Sequence, residues 1–214
     1  MKLLLTSNGL VNDSIAQAFI DMTSKHMGEL RVAFIPTARN PEAASTDYLA
    51  DVLSRLKMLT IKKVDIVDID GLDKSHWLPR LEAADVIYIG GGNTYFLMKS
   101  LRDSGLAKEL VKLLSTRLYV GDSAGAIVVT PSIDIAAVDD GDENAVNLQD
   151  TNGLGLVDFE VSPHTPEDVS LKGNEQYAST IKNVLYAFDN KTALKFENGI
   201  ISFVGTGEHH IYND

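Results

Sequence analysis

The chain has no cysteine among its 214 residues. That excludes thiol nucleophiles, disulfides and thiolate metal sites, and it fits a reducing compartment, so a cytoplasmic protein is the expectation. Positive charge is scarce as well: 19 Lys and Arg stand against 30 Asp and Glu, a formal net charge of -11 at pH 7. A surface of that sign repels phosphate backbones and anionic headgroups, which argues against nucleic-acid and membrane partners. Long apolar runs are missing too. Lys2 followed by Leu3-Leu4-Leu5 imitates the start of a secretory leader, but Thr6-Ser7-Asn8-Gly9 ends it early. No stretch approaches the ~20 apolar residues of a membrane span.

What the chain does have is a 44% share of hydrophobic residues set in short blocks, enough for one well-buried core over a single domain, 1–214. Apolar runs at Leu3–Thr6, Arg31–Ile35, Val64–Val67, Val86–Ile89 and Leu118–Val120 read as strands. Between them lie helical patterns: Ile15, Ala18, Phe19 and Met22 after an Asn12-Asp13-Ser14 cap, then Tyr48, Leu49, Val52, Leu53 and Leu56 in a helix from about Pro41. Asp73–Ala84 reads as a helix interrupted by Pro79, with further helical patterns at Tyr95–Arg102 and Leu106–Leu114. Strands that are continuously apolar and alternate with helices predict an α/β fold, a mostly parallel sheet with helices on both faces. In such sheets functional residues gather at the carboxyl ends of the strands, here Ser7-Asn8, Pro36-Thr37, Gly90–Thr94 and Gly121–Ser123. Farther on, the acidic stretch Asp134–Asp150 reads as a solvated loop whose spacing matches no calcium site. A strand ends at Ser162, a helix is expected over Asn174–Phe188, and Asn198-Gly199 marks a hairpin turn.

Gly121-Asp122-Ser123-Ala124-Gly125 joins the apolar strand ending at Val120 to a small-residue helix start. This is the G-x-S-x-G pattern of a nucleophile elbow, which presents the serine hydroxyl at the strand's end beside free backbone N–H groups. A serine needs a base, and there are only five histidines. His209 and His210 are neighbours on a strand and face opposite sides; His26 and His76 have nothing to tie them to the rim. His164, between Pro163 and Thr165-Pro166 at another strand end, is the best-placed partner. For the carboxylate that would hold the imidazole, the residues offer Glu197, Asp134, Asp139 and Asp140. Gly90-Gly91-Gly92 lacks the spacing of a dinucleotide site, but at a strand end it can bare an N–H to a substrate carbonyl.

Val86-Ile87-Tyr88-Ile89-Gly90-Gly91-Gly92-Asn93-Thr94, then Tyr119-Val120-Gly121-Asp122-Ser123-Ala124-Gly125-Ala126, then Ser162-Pro163-His164, resemble in order and spacing the peptidase E (aspartyl dipeptidase) family, whose relatives include cyanophycinase. The resemblance runs from the first strand to the last. It implies a fold related to the class I glutamine amidotransferases and hydrolysis of short peptides through an acyl-enzyme, without metal or cofactor. Carried over, Ser123 is the nucleophile, His164 the base, Glu197 in Phe196-Glu197-Asn198-Gly199 the acid, and Gly92 with Ala124 the oxyanion donors. Asn93, Thr94 and Asn174 fall at positions expected to face substrate. One departure stands out: Leu171-Lys172-Gly173-Asn174-Glu175-Gln176 has Asn174 where the aspartate-selective enzymes are expected to place an arginine. Lys172 offers a point charge but no bidentate fork, so aspartyl selectivity is not expected to carry over. Two other readings stay open: an esterase or amidase acting on a non-peptide acyl group, and a non-catalytic small-molecule-binding relative. Nothing in the sequence bears on oligomeric state.

Overall fold

The structure, a computed structural model, describes residues 1–42, 47–139 and 141–214. The chain alternates from the start: β1 (Lys2–Thr6), α1 (Asp13–Met22), β2 (Arg31–Ile35), α2 (Asp47–Met58), β3 (Lys63–Ile66), α3 (Lys74–Glu82), β4 (Val86–Ile89), α4 (Thr94–Asp103), α5 (Leu106–Leu113), β5 (Leu118–Asp122) and α6 (Ala124–Ile127). After a long irregular stretch come β6 (Glu160–Ser162), α7 (Leu171–Ala178), β7 (Leu185–Phe188), β8 (Thr192–Glu197), β9 (Ile200–Gly205) and β10 (His209–Tyr212). The main sheet has seven strands in the order β3-β2-β4-β5-β1-β8-β9. The first five are parallel, while β8 and β9 form an antiparallel edge. A smaller sheet, β10-β7-β6, stands beside it.

The continuous apolar runs have a simple cause. Alternate residues of each parallel strand enter two different cores. Leu3, Leu5, Ala33, Ile35, Ile87, Ile89 and Tyr119 meet Trp77, Leu81, Leu97, Leu101 and Leu110 from α3, α4 and α5. Leu4, Val32, Phe34, Val86, Tyr88 and Val120 meet Ile15, Phe19, Met22, Val52 and Leu56 from α1 and α2. Both faces of the sheet are therefore covered by helices, as the sequence pattern requires. Asn12 caps α1 by accepting the N–H of Ile15. The hairpin between β8 and β9 turns at Asn198 and Gly199, both with positive φ (53° and 88°), the conformation that favours Asn-Gly.

Three local expectations need revision. Pro79 does not interrupt α3, which continues to Glu82. A proline inside a helix costs roughly 3 kcal/mol, but Trp77 and Leu81 on either side of it are fully buried, and each such side chain contributes roughly 1.5–3 kcal/mol. The helix expected over Asn174–Phe188 instead ends at Ala178, and Leu185–Phe188 becomes a strand hydrogen-bonded on both edges. The helix expected from about Pro41 runs from Asp47, and residues 43–46 of that expectation lie outside the described residues.

The registers bring Thr6, Ile35, Ile89 and Asp122 to one rim of the sheet. Ser123 follows on that rim.

Candidate active site

Ser123 sits at the turn between β5 and α6 with φ 52° and ψ -112°, a backbone strain concentrated on this residue. The flanking glycines are there because nothing larger fits. A Cβ on Gly121 would lie 2.4 Å from the carbonyl oxygen of Gly125, and a Cβ on Gly125 would lie 2.2 Å from that of Ile89. Ser123 donates its own N–H to Thr6 O at 2.8 Å, which ties the turn to β1.

His164 lies just past the end of β6 and has φ 60°. Its N–H donates to Ser7 Oγ (3.0 Å), and that hydroxyl in turn donates to Phe188 O (3.1 Å). Anchored this way, the ring places Nε2 2.9 Å from Ser123 Oγ. The other nitrogen, Nδ1, is 2.5 Å from Asn190 Oδ1. With an amide oxygen there, Nδ1 carries the hydrogen and donates it, leaving the Nε2 lone pair aimed at the serine hydroxyl. Among the described residues Asp168 Oδ2 is the nearest carboxylate, 3.8 Å from Nδ1, on a side chain that is 75% exposed.

Glu197 is not in this group, and the expectation for it is corrected. Because β8 runs antiparallel to β1, its start adjoins the rim and its end does not. Glu197 pairs with Lys2 while Thr6 pairs with Ala193, four residues and roughly 13 Å away along the strand. There its carboxylate meets Lys2 Nζ at 3.0 Å and Lys195 Nζ at 3.2 Å, and these two ammonium groups hold it below the usual carboxylate range. Asn190, in the turn that leads into β8, occupies the rim instead. The other acids weighed for this role are also elsewhere: Asp139 accepts the N–H of Ser170, Asp134 opens a short 3-10 helix, and Asp140 lies outside the described residues.

The turn after β4 faces Ser123 from the other side. A Cβ on Gly91 would come within 3.0 Å of Ser123 Cβ, so glycine is required for this approach. Gly92, with φ 135°, abuts Ala38 O in the same way. Among the described residues no protein acceptor takes the N–H of Gly92 or of Ala124. Beneath the turn lies a buried carboxylate. Asp122 accepts hydrogen bonds from Gly9 N (2.8 Å), Thr6 Oγ1 (3.3 Å) and the Tyr48 hydroxyl (2.7 Å). Burial pushes the Asp122 carboxyl up, against the pull of Tyr48, His164, Gly9 and Thr6. Tyr48 read in sequence as one apolar position of a helical stripe, and nothing in that pattern signals its hydroxyl.

Ser123, His164, Gly91, Gly92, Tyr48 and Asp122 line a cavity of about 410 Å³ with Arg39, Thr94, Ile127, Ile135, Asp142 and Asp168 on its walls, a volume suited to a small ligand. Of the positions expected to face substrate, Thr94 lines the cavity but Asn93 and Asn174 do not. Asn93 caps α4, accepting from Phe96 N and donating to Glu143 O. Asn174 is fully buried and donates to Thr165 Oγ1, so its place in the sequence is filled by a packing residue; Lys172 points to solvent. A different cation reaches the cavity. The Arg39 guanidinium lies 4.5 Å over the Tyr48 ring and is paired with Glu42.

The acidic stretch is less free than a solvated loop. Asp142 accepts the N–H of Thr94 at 2.7 Å, at the start of α4, and Asp139 accepts that of Ser170 at 2.7 Å, at the start of α7. Two of its carboxylates thus satisfy helix N-terminal donors beside the cavity. Burial raises Asp142, against the pull of its bonds to Thr94. Among the described residues no cluster of His, Asp and Glu is arranged to hold a metal, and no helix is long and apolar enough to cross a membrane.

A strained serine in hydrogen-bond reach of an oriented imidazole, with unengaged N–H groups nearby, can perform nucleophilic acyl transfer. Comparison with known proteins sets the chain among peptidases. Residues 3–204 match peptidase family S51. An uncharacterized peptidase of Listeria monocytogenes is 32% identical over 185 residues, spanning 84% of this chain and 88% of its own. Peptidase E of Streptomyces coelicolor is 32% identical over 168 residues, 77% of this chain and 64% of its own. The crystal structure of a Listeria monocytogenes protein described as a candidate peptidase E superposes with a TM-score of 0.82 at 28% identity, over 96% of this chain and 98% of that one. A peptidase from an acI-B1 actinobacterium shares the fold, with a TM-score of 0.77 at 19% identity over 99% of this chain and 90% of its own. The chain belongs to peptidase family S51 and is a serine-type peptidase.

Proposed function

We propose that this peptidase cleaves short peptides through an acyl-enzyme on Ser123, with His164 as base and Asn190 in place of the acid. The observation that carries this reading is the 2.9 Å contact between Ser123 Oγ and His164 Nε2. In the first step Oγ bonds to the scissile carbonyl carbon while its proton passes to Nε2. The carbonyl oxygen becomes an oxyanion facing the N–H groups of Gly92 and Ala124. Collapse breaks the C–N bond, and the leaving amine takes the proton from His164. Water then enters by the same route and releases the acid, restoring both residues. The cavity volume favours a peptide of very few residues.

Asn190 keeps the imidazole in its working tautomer but brings no charge to the imidazolium. Removing its amide frees the ring to turn, so Asn190→Ala should lower kcat by about 10²-fold with little change in KM. Glu197→Gln, at the far end of β8, should stay within about twofold of wild type. Steady-state kinetics of the two variants on one dipeptide check this, and the reverse ranking would restore Glu197 to the mechanism.

Selectivity follows from charge. Arg39 is already balanced by Glu42, and Asp142 and Asp168 add negative charge to the same cavity. A substrate carboxylate gains little there, about tenfold or less in discrimination. Asp-Leu, Asn-Leu and Ala-Leu are thus expected to be cleaved with comparable kcat/KM. An aspartate preference of about a hundredfold would show that Arg39 leaves Glu42 for the substrate. Running simple esters beside these dipeptides tests the peptidase reading itself, since an esterase would prefer the esters by more than their intrinsic reactivity.

A further inference from the structure

The turn that faces Ser123 contains four successive residues, Gly90 to Asn93, and the fates of their N–H groups differ. Gly90 donates to Ile35 O at 3.0 Å, and Asn93 donates to Ala38 O at 2.9 Å. Ile35 ends β2 and Ala38 lies just beyond it, so the two ends of the turn are pinned to the neighbouring strand and the segment that follows it. Gly91 donates to the Tyr48 hydroxyl at 2.7 Å. Gly92 alone of the four has no protein acceptor among the described residues. A donor left open is what an oxyanion requires, provided its direction is fixed before the charge appears.

That direction depends on Tyr48. Gly90, Gly91 and Gly92 have no side chains to pack, and Gly92 adopts φ 135°, so between the two pinned ends the bond from Gly91 to Tyr48 is the hydrogen bond that holds the middle of the turn. The phenol has one hydrogen and must choose where to send it. Asp122 Oδ2, 2.7 Å away and fully buried, takes it, which leaves the phenol oxygen as an acceptor facing Gly91. Asp122 is itself held by Gly9 N and Thr6 Oγ1, and it directly precedes Ser123 in the chain. The guanidinium of Arg39, 4.5 Å from the ring centroid, packs the Tyr48 ring in place. A chain of two short hydrogen bonds therefore connects the residue before the nucleophile to the turn opposite it.

We propose that Tyr48 is a positioning residue: supported on Asp122, its hydroxyl engages the N–H of Gly91 and so fixes the N–H of Gly92 toward the oxyanion formed at Ser123. This rests on the acyl-enzyme reading above and deepens it. Tyr48 stands on the cavity wall, but its hydroxyl is engaged by Asp122 and Gly91, not by Ser123 or His164. Its contribution is to orientation, so its loss should appear in the transition state and not in ground-state binding.

The test compares wild type, Tyr48→Phe, the double variant Tyr48→Phe/Asp122→Asn and Ser123→Ala on one dipeptide, with kcat, KM and thermal midpoint measured for each. Tyr48→Phe keeps the ring but orphans the Gly91 N–H and strips the buried Asp122 of a donor. We expect kcat to fall about 10–100-fold with KM within about twofold, together with a lower midpoint. In the double variant the neutral amide removes the cost of the undersupported carboxylate, so the midpoint should recover while kcat does not. Recovery of kcat along with the midpoint would assign Tyr48 to stability alone and overturn the proposal. So would a Tyr48→Phe kcat within about threefold of wild type, or a loss expressed mainly in KM. Ser123→Ala separates the two levels. If it turns over like wild type the acyl-enzyme reading itself fails, whereas an inactive Ser123→Ala beside a fully active Tyr48→Phe removes only the role given to Tyr48.

Discussion

Ser123→Ala should lower turnover by about 10⁴–10⁶-fold while the protein stays folded. Only one hydroxyl is lost, and it makes no bond that holds the turn; the structural contact at this position is the backbone N–H of Ser123 to Thr6 O. Relief of nothing but a hydrogen bond to His164 should leave the thermal midpoint close to wild type. The chemical loss, in contrast, is complete. Without Oγ there is no atom to form the acyl-enzyme, and the residual rate comes from binding and the open N–H groups acting on water. Kinetics and a melting curve on the same preparation decide it. A folded variant that keeps more than about a tenth of wild-type turnover would mean that Ser123 is not the nucleophile.

Gly125→Ala should be strongly destabilising although it adds a single methyl. Its Cβ would lie 2.2 Å from the carbonyl oxygen of Ile89 and 2.9 Å from that carbonyl carbon. The obstacle is backbone of β4, a fully buried central strand, so no flexible side chain can move aside. Either α6 lifts from the sheet or β4 shifts. A strain of this kind belongs at the upper end of overpacking costs, about 3 kcal/mol or more, which in a chain of this size lowers the midpoint by about 6–12 °C. Activity should fall further than stability. Ala124 precedes the clash, and the Gly90–Gly92 turn follows Ile89, so the two N–H groups assigned to the oxyanion are pushed apart. A circular-dichroism melt checks the first part, and a midpoint within about 2 °C of wild type would contradict it.

The two residues that meet at 2.9 Å were legible in sequence because each carries a local signature. Ser123 lies between glycines that the close approach of α6 to β4 and β5 demands, and His164 follows directly on an apolar strand. The parallel sheet was legible for a related reason, since a strand buried on both faces can only be a continuous apolar run. Asn190 had no such mark. It lies in a short turn far from His164 in the chain, and only the pairing of β8 with β1 brings it to the rim. The same pairing explains why Glu197 misled: a reading along the chain places it near an attractive hairpin, but the antiparallel direction of β8 carries it to the opposite end of the sheet. Tyr48 was hidden in the other way. Its ring satisfied the helical stripe of α2, which gave no reason to ask where its hydroxyl went. Asp139 and Asp142 were lost among neighbours of the same charge, although each satisfies a helix N-terminus distant in the chain, 31 residues on at Ser170 for Asp139 and 48 residues back at Thr94 for Asp142.

If Ser123, activated by His164, forms the covalent intermediate, a fluorophosphonate should capture it. The reagent forms a stable bond only with a serine whose hydroxyl is deprotonated by a positioned base. Intact-mass analysis of the wild-type protein should show one phosphonyl group, mapped by peptide sequencing to Ser123. Labelling should vanish in Ser123→Ala and slow greatly in His164→Gln. A label on another serine, or a protein that hydrolyses dipeptides while Ser123 remains unmodified, would contradict the account.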